Sequence, residues 1–156
     1  MTKTNAMRQL DANRIPYETR EFDYDGDNPC GLRPDDADAA LMERMFKTLV
    51  TRGDKLGILV FCIPVDQELD MKKCAQAAGD KRVEMIHMKE LLPLTGYVRG
   101  GCSPIGMKKK YPTIFDETAM LYDSIYVSGG QRGLQISLAP EALIDFVDGV
   151  CADVIK

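Results

Sequence analysis

The chain has no tryptophan, a single histidine (His87) and no C-x-x-C pair among its five cysteines. Each shortage removes a class of mechanism. One histidine cannot build a His-rich metal cage, and any Ser–His–Asp or Cys–His triad would have to use His87. The cysteines, at 30, 62, 74, 102 and 151, are odd in number and widely spaced. They read as reduced intracellular thiols, neither a disulfide framework nor a zinc site. No apolar run approaches the roughly 18 residues of a membrane helix. The opening "MTKTNAMRQLDANRIPY" is amphipathic and lacks the apolar stretch of a signal peptide. A cytoplasmic address with no membrane partner is the expectation.

Positive charge is outnumbered, 20 Lys and Arg against 24 Asp and Glu. A net charge of −4 argues against a wholly basic nucleic-acid binder, and DNA is not an expected partner. The charge is uneven, however. Acid gathers in "EFDYDGDNP" and "DDADAA", base in "MKK" (71–73), "DKR" (80–82) and "KKK" (108–110). Such local basic footprints suit either solubility or one phosphate-rich end of a partner.

What is present is ordinary for a globular protein: 156 residues, 45% apolar and 28% charged, enough for one compact domain spanning 1–156. Thr4 can cap a first helix carrying Met7 and Leu10, and "YETREF" (17–22) alternates as a strand. Residues 23–37, rich in Gly, Pro, Asp and Asn, read as a loop before a short helix near 38–45. "FKTLV" (46–50) and "GILVFCIP" (57–64) read as a hairpin turning at Gly53-Asp54. The second run, apolar on both faces, belongs inside the sheet. "LDMKKCAQAAG" (69–79) is the strongest helix, with Asp70 to cap it and Gly79 to end it. "VEMI" (83–86) is a strand, and "HMKELLPLTG" a short helix stopped near Pro93. "TIFDE", "SIYVSG" and "LQISLA" are later strands joined by the tight "GGQRG" (129–133). Pro140 opens a closing helix to Phe146, and "ADVIK" (152–156) reads as a final strand. The fold class is α/β: a mixed sheet flanked by helices.

Three stretches could carry chemistry. Alternation in "FKTLV" places Phe46, Thr48 and Val50 on one face and Lys47 and Leu49 on the other. Lys47 is either an edge-strand guard or an ammonium beside a pocket, ready for a phosphate or a developing oxyanion. In "TGYVRGGCSPIGMKKK", Gly100, Gly101 and Gly106 permit backbone shapes closed to other residues, and successive N–H groups in such a turn form an anion-binding nest. Cys102 and Ser103 are potential nucleophiles without an evident base. "VSGGQRG" (127–133) repeats the theme with Ser128, Gly129, Gly130 and Arg132, and also makes a good hairpin. His87, between apolar residues, suits packing or capping.

Taken in order, "FKTLV", "ELDMKKCAQAAG", "VEMI", "TGYVRGGCSPIGMKKK" and "IYVSGGQRGLQISLAP" resemble the YbaK/EbsC family of aminoacyl-tRNA deacylases, most closely its Cys-tRNA(Pro) deacylase branch. That branch is a free-standing relative of the editing domain inserted in bacterial prolyl-tRNA synthetases. The resemblance runs from about Leu10 to the C-terminus. It implies a curved mixed sheet with surrounding helices, no metal and no organic cofactor. It further implies cleavage of the ester joining a wrong amino acid to the tRNA 3′ adenosine. The family's essential lysine falls on Lys47, and its glycine-rich loop on Gly100, Gly101, Cys102, Ser103, Pro104, Ile105 and Gly106. Its SGG-x-RG segment falls on Ser128, Gly129, Gly130, Arg132 and Gly133. Expected partners are the aminoacyl-tRNA acceptor end, contacted by Lys108, Lys109 and Lys110, and a prolyl-tRNA synthetase. Phe22 stands where relatives often carry tyrosine, removing a hydroxyl from the substrate contacts, and Cys102 stands where an aliphatic residue is common.

The implied chemistry is coherent. A synthetase pocket shaped for proline gains only about 1–3 kcal/mol against a similar-sized side chain, so a second sieve is needed. With cysteine as the cargo, its own thiol can attack the ester, and the protein need only position the group and hold the oxyanion, through Lys47 and the amides of Gly101 to Ser103. Two alternatives stay open: an alanyl- or seryl-tRNA hydrolase using water or the ribose hydroxyl, and a non-catalytic module holding tRNA ends.

Overall fold

The computed structural model describes residues 3–24 and 39–156. Helix α1 (Asn5–Ala12) starts at Thr4, whose hydroxyl accepts the Met7 N–H at 3.2 Å, and it buries Ala6, Met7 and Leu10. Strand β1 (Glu18–Glu21) follows. The predicted acidic loop falls almost wholly on residues 25–38, outside the described residues. The helix expected near 38–45 is the short α2 (Ala39–Glu43).

Strands β2 (Phe46–Gly53) and β3 (Gly57–Pro64) form the expected hairpin, with β2 running three residues past the predicted Val50. Asp80 fixes its turn by accepting the N–H groups of Lys55 and Leu56. Helix α3 (Met71–Ala78) is capped by Asp70 and closed by Gly79 at φ 77°. Strand β4 (Val83–Met85) leads through a 3-10 turn at Met88–Glu90 into α4 (Leu91–Thr95). Pro93 lies inside α4 instead of stopping it, because a first-turn residue needs no N–H. Gly96, at φ 85°, ends the helix.

The remaining strands are β5 (Thr113–Asp116), β6 (Ile125–Ser128), β7 (Leu134–Leu138) and β8 (Val150–Ala152), with α5 (Pro140–Phe146) between the last two. The final strand therefore lies ahead of the predicted 152–156. Beyond Ala152 the chain leaves the β5 ladder: Asp116 takes the Val154 N–H, Lys73 grips Asp153 and the Ile155 carbonyl, and Ile155 keeps one antiparallel bridge to Leu69.

The strands form a mixed five-stranded sheet, β4-β2-β3-β5-β8, and an antiparallel three-stranded one, β1-β7-β6. One parallel bridge, Met45–Tyr126, joins them along the edge of β2. Strand β3, buried from Leu59 to Pro64, is central, as its two-sided apolar run requires. One face of the large sheet packs Leu59, Phe61 and Ile63 with Cys74 and Ala75 of α3. The other meets α1, α5 and the small sheet through Phe46, Cys62 and Phe115. Among the described residues, no helix is long and apolar enough to cross a membrane.

Candidate active site

A cavity of about 610 Å³ opens where the two sheets part. Its floor is the edge of β2, residues Phe46 to Val50. The small sheet contributes Ser128, Leu134 and Gln135, the glycine-rich loop contributes Arg99, Gly100 and Cys102, and Phe22 and Tyr24 close one end. Met85, Ile86, Met88 and Leu91 form an apolar far wall. The volume falls within the roughly 300–1,000 Å³ usual for small-molecule sites.

Lys47 reaches this cavity from the face of β2 that carries Leu49 and α3, while Cys102 packs with Val50 and Val60 on the opposite face. The two groups thus meet across the strand edge. Among the described residues, no carboxylate pairs with the Lys47 ammonium.

The glycine-rich segments are locked to each other. The Gly101 N–H donates to the Val98 carbonyl at 3.0 Å, and a Cβ on Gly101 would sit 3.1 Å from the Gln131 and Arg132 backbone. Only glycine lets the segments approach so closely. Thr4 donates to the Gly129 carbonyl at 2.6 Å and Asn5 to that of Gly106 at 3.2 Å, so the start of α1 ties both down. Tyr97 donates to the Ile105 carbonyl inside the turn. Gly100, at φ 83°, lies under Tyr24: an added Cβ would be 2.5 Å from the hydroxyl. Arg132 does not line the cavity but braces two residues that do. Its Nε donates to the Arg99 carbonyl at 2.8 Å, and its guanidinium covers the Tyr24 ring at 5.0 Å.

The structure thus brings Lys47, Phe22, Gly100, Cys102 and Ser128 to one hollow. Gly101, Ser103, Pro104 and Ile105 are buried behind it, and Gly106, Gly129 and Gly130 shape the turns that hold it. The lysine triplet lies elsewhere. Lys109 and Lys110 line a separate hollow of about 200 Å³, Lys110 pairs with Asp148, and the Lys108 stem covers Gly96.

The potential nucleophiles are quiet. Burial pushes the Cys102 thiol up to about 12, against a smaller downward pull from the Thr95 hydroxyl. Ser103 is fully buried, and its oxygen accepts the Ile105 N–H at 3.3 Å. His87 caps the 3-10 turn, its N–H donating to Glu90, and does not line the cavity.

A domain model for aminoacyl-tRNA editing matches residues 36–146 of this chain. The chain belongs to the aminoacyl-tRNA editing domain family. It is 49% identical over 152 residues, 97% of this chain and 93% of the other, to an Enterococcus faecalis protein, EbsC, provisionally named a Cys-tRNA(Pro)/Cys-tRNA(Cys) deacylase. Two solved structures share the fold, each at 21% identity. A hypothetical protein, APE2540, matches with TM-score 0.83 over 98% of this chain and 100% of its own. A protein described provisionally as a trans-editing enzyme for prolyl-tRNA synthetase matches with TM-score 0.77 over 100% and 99%. The chain is accordingly an enzyme of the aminoacyl-tRNA deacylase class.

Several residues of this editing domain escape a reading of the sequence. Gln135 is 4% exposed and lines the cavity, yet its Oε1 has no hydrogen-bond partner among the described residues. A buried, unpartnered acceptor costs about 1–3 kcal/mol, a cost a ligand donor would remove. The place of Gln135 in the alternating strand "LQISL" gave no sign that it would be buried. Tyr24 and Arg99 gave none, since each lies in a stretch that reads as loop.

Proposed function

We propose that this protein is a trans-editing deacylase acting on Cys-tRNA(Pro), and that the cysteine's own thiol breaks the ester. The observation that carries this reading is the cavity's inventory. It joins an ammonium without a carboxylate partner, Lys47, to the turn at Gly100–Cys102, while its described lining includes no carboxylate and no imidazole. Its one thiol, on Cys102, is held protonated at neutral pH by burial. A site so poor in bases suits a substrate that brings its own nucleophile.

The substrate sulfur attacks the ester carbonyl carbon, giving a tetrahedral oxyanion. The carbon–oxygen bond to the ribose then breaks, and the departing 3′ oxygen takes up the proton lost by the thiol. The products are a cyclic thiolactone and free tRNA. Lys47 holds the ribose or terminal phosphate and neutralises developing charge. The Cys102 and Ser103 amides face no competing acceptor among the described residues, unlike Gly101, whose N–H is committed to Val98. The Cys102 amide, on the residue that lines the cavity, is the turn's available donor to the oxyanion, with the buried Ser103 behind it. Gln135 accepts a hydrogen bond from the α-ammonium, and Ser128 lines the same wall. Lys108 to Lys110 serve the acceptor stem at a distance, and a prolyl-tRNA synthetase supplies tRNA selection.

The test is a deacylation panel of cysteinyl-, alanyl- and seryl-tRNA(Pro), with S-alkylated cysteinyl-tRNA as the decisive member. Rapid loss of the cysteinyl ester alone, with thiolactone trapped as product and the S-alkylated ester untouched, is the expected result. Equal turnover of the alkylated ester would end the substrate-thiol mechanism.

A further inference from the structure

The edge of β2 directs a peptide unit into the cavity, and the register identifies it. The Val60 N–H donates to Pro112 at 2.9 Å, away from β2, so the facing pair Val50–Val60 exchanges no ladder bonds. The peptide groups of Val50 therefore point outward, and its carbonyl indeed accepts the Ile86 N–H at 3.4 Å. At the other end of the strand, the Arg44 carbonyl accepts the Tyr126 N–H at 2.8 Å. β6 and β4 thus attach to the same edge of β2 and leave a gap between them.

Thr48 stands in that gap. It faces Cys62, two places from Val50, so its N–H and C=O share the outward direction. Among the described residues no β-bridge falls on this edge at Thr48, since the β4 ladder covers Thr51 to Gly53 and the contact with β6 is the single bridge at Met45, and Thr48 lines the cavity. Main-chain groups seek partners, so an N–H and a C=O directed side by side into a cavity suit a ligand that both donates and accepts. An aminoacyl ester has that pattern: an α-ammonium and, two bonds on, a carbonyl.

We propose that the aminoacyl group docks against Thr48 as a one-residue β-strand. Its α-ammonium donates to the Thr48 carbonyl oxygen, and its ester carbonyl oxygen accepts the Thr48 N–H. This rests on the deacylase reading and names the group that reads the amino acid's invariant part. It is strand addition reduced to one residue, in which main-chain bonds fix the ligand and the side chain is left to the pocket walls. The reacting carbonyl then lies between Lys47, from one face of the strand, and the Gly100–Cys102 turn, from the other. The Thr48 amide is a rigid donor aimed at the oxygen that becomes negative.

Two arms test this. In the first, Thr48 is replaced by its α-hydroxy acid, turning the N–H into an ester oxygen while keeping the side chain. The same exchange at Thr51, whose amide faces β3, is the control. We expect kcat/KM for cysteinyl-tRNA to fall about 10²–10³-fold at position 48 and to be unchanged at 51. In the second arm, the wild-type protein receives 3-mercaptopropionyl-tRNA, which keeps the thiol and lacks the ammonium; cleavage at least tenfold slower than for cysteinyl-tRNA is expected. The second arm needs no variant to fold. Normal kinetics from the position-48 exchange, or equal rates on the two esters, would overturn the docking while the deacylase reading stood. Failure of the wild type to cleave any charged tRNA would remove both.

Discussion

The two hollows lined by the 100–107 segment make an instructive pair. The larger holds the Lys47 ammonium, the orphan Oε1 of Gln135 and the outward-facing Thr48 peptide. The smaller holds Lys109 and Lys110, of which Lys110 is already paired with Asp148. By count of positive charge the two are level, Lys47 and Arg99 against Lys109 and Lys110. By unsatisfied polar groups, the larger is the only one with work left for a ligand. Chemistry belongs where fixed groups await a partner, and exposed lysines add reach at modest strength.

Substitutions can break or sharpen this contrast. Lys47→Ala should have the largest effect, lowering kcat/KM for the charged tRNA about 10²–10³-fold while thermal unfolding stays nearly unchanged. A normal rate would take Lys47 out of the mechanism. Gly100→Ala comes next. It forces a side chain into φ 83° and against Tyr24, so activity should drop by up to about 10²-fold with about 1–3 kcal/mol of stability lost. Equilibrium unfolding beside single-turnover kinetics checks both halves. Gln135→Leu should separate stability from function: KM rises about tenfold if one hydrogen bond to the α-ammonium is lost, yet the melting temperature does not fall, because the orphan oxygen leaves with the side chain. A lower melting temperature would show that the oxygen is satisfied within the protein.

The buried thiols provide a pH test. Burial raises Cys62 and Cys102 from 9.0 to about 12. Their folded-state values exceed the unfolded ones, so their contribution is complete below about pH 9 and is lost as pH climbs toward 12. The urea midpoint should decline across that window, and less steeply in a Cys62→Ala variant when each is compared with its own value at pH 8. The smallest effect belongs to the second hollow. Lys108, Lys109 and Lys110 changed together to Ala should raise KM only a few-fold and flatten its salt dependence, with kcat unaltered. A collapse of kcat would reverse the ranking of the two hollows.

Much of this was legible in the residues. The cap at Asp70, the αL stop at Gly79 and the two-sided apolar run of β3 are local signals, and each forms where its chemistry dictates. The final strand was misplaced because tertiary bonds decide it. Alternation fits 152–156, but Asp116 takes the Val154 N–H and Lys73 the Ile155 carbonyl, so pairing there shrinks to one antiparallel bridge, Leu69–Ile155. Pro93 misled for a related reason: a proline breaks a helix interior, and α4 is too short to have one. At the site, lysine and glycines could be read as types that do chemistry. The Gln135 orphan and the outward-facing Thr48 peptide could not, because both arise from strands meeting across long separations in the chain. Register, a property of the pair, has no trace in either strand alone.

The central claim, that the aminoacyl end lies on the β2 edge beside Lys47, is tested most directly with a non-hydrolysable ligand, the cysteinyl amide of 3′-amino-3′-deoxyadenosine. Titrated into isotope-labelled protein, it should move the amide resonances of residues 47–49, 100–103, 128 and 135, with the largest change at Thr48. The signals of 108–111 should stay in place. Shifts centred on 104–111, with the Thr48 amide unmoved at saturation, would contradict the account.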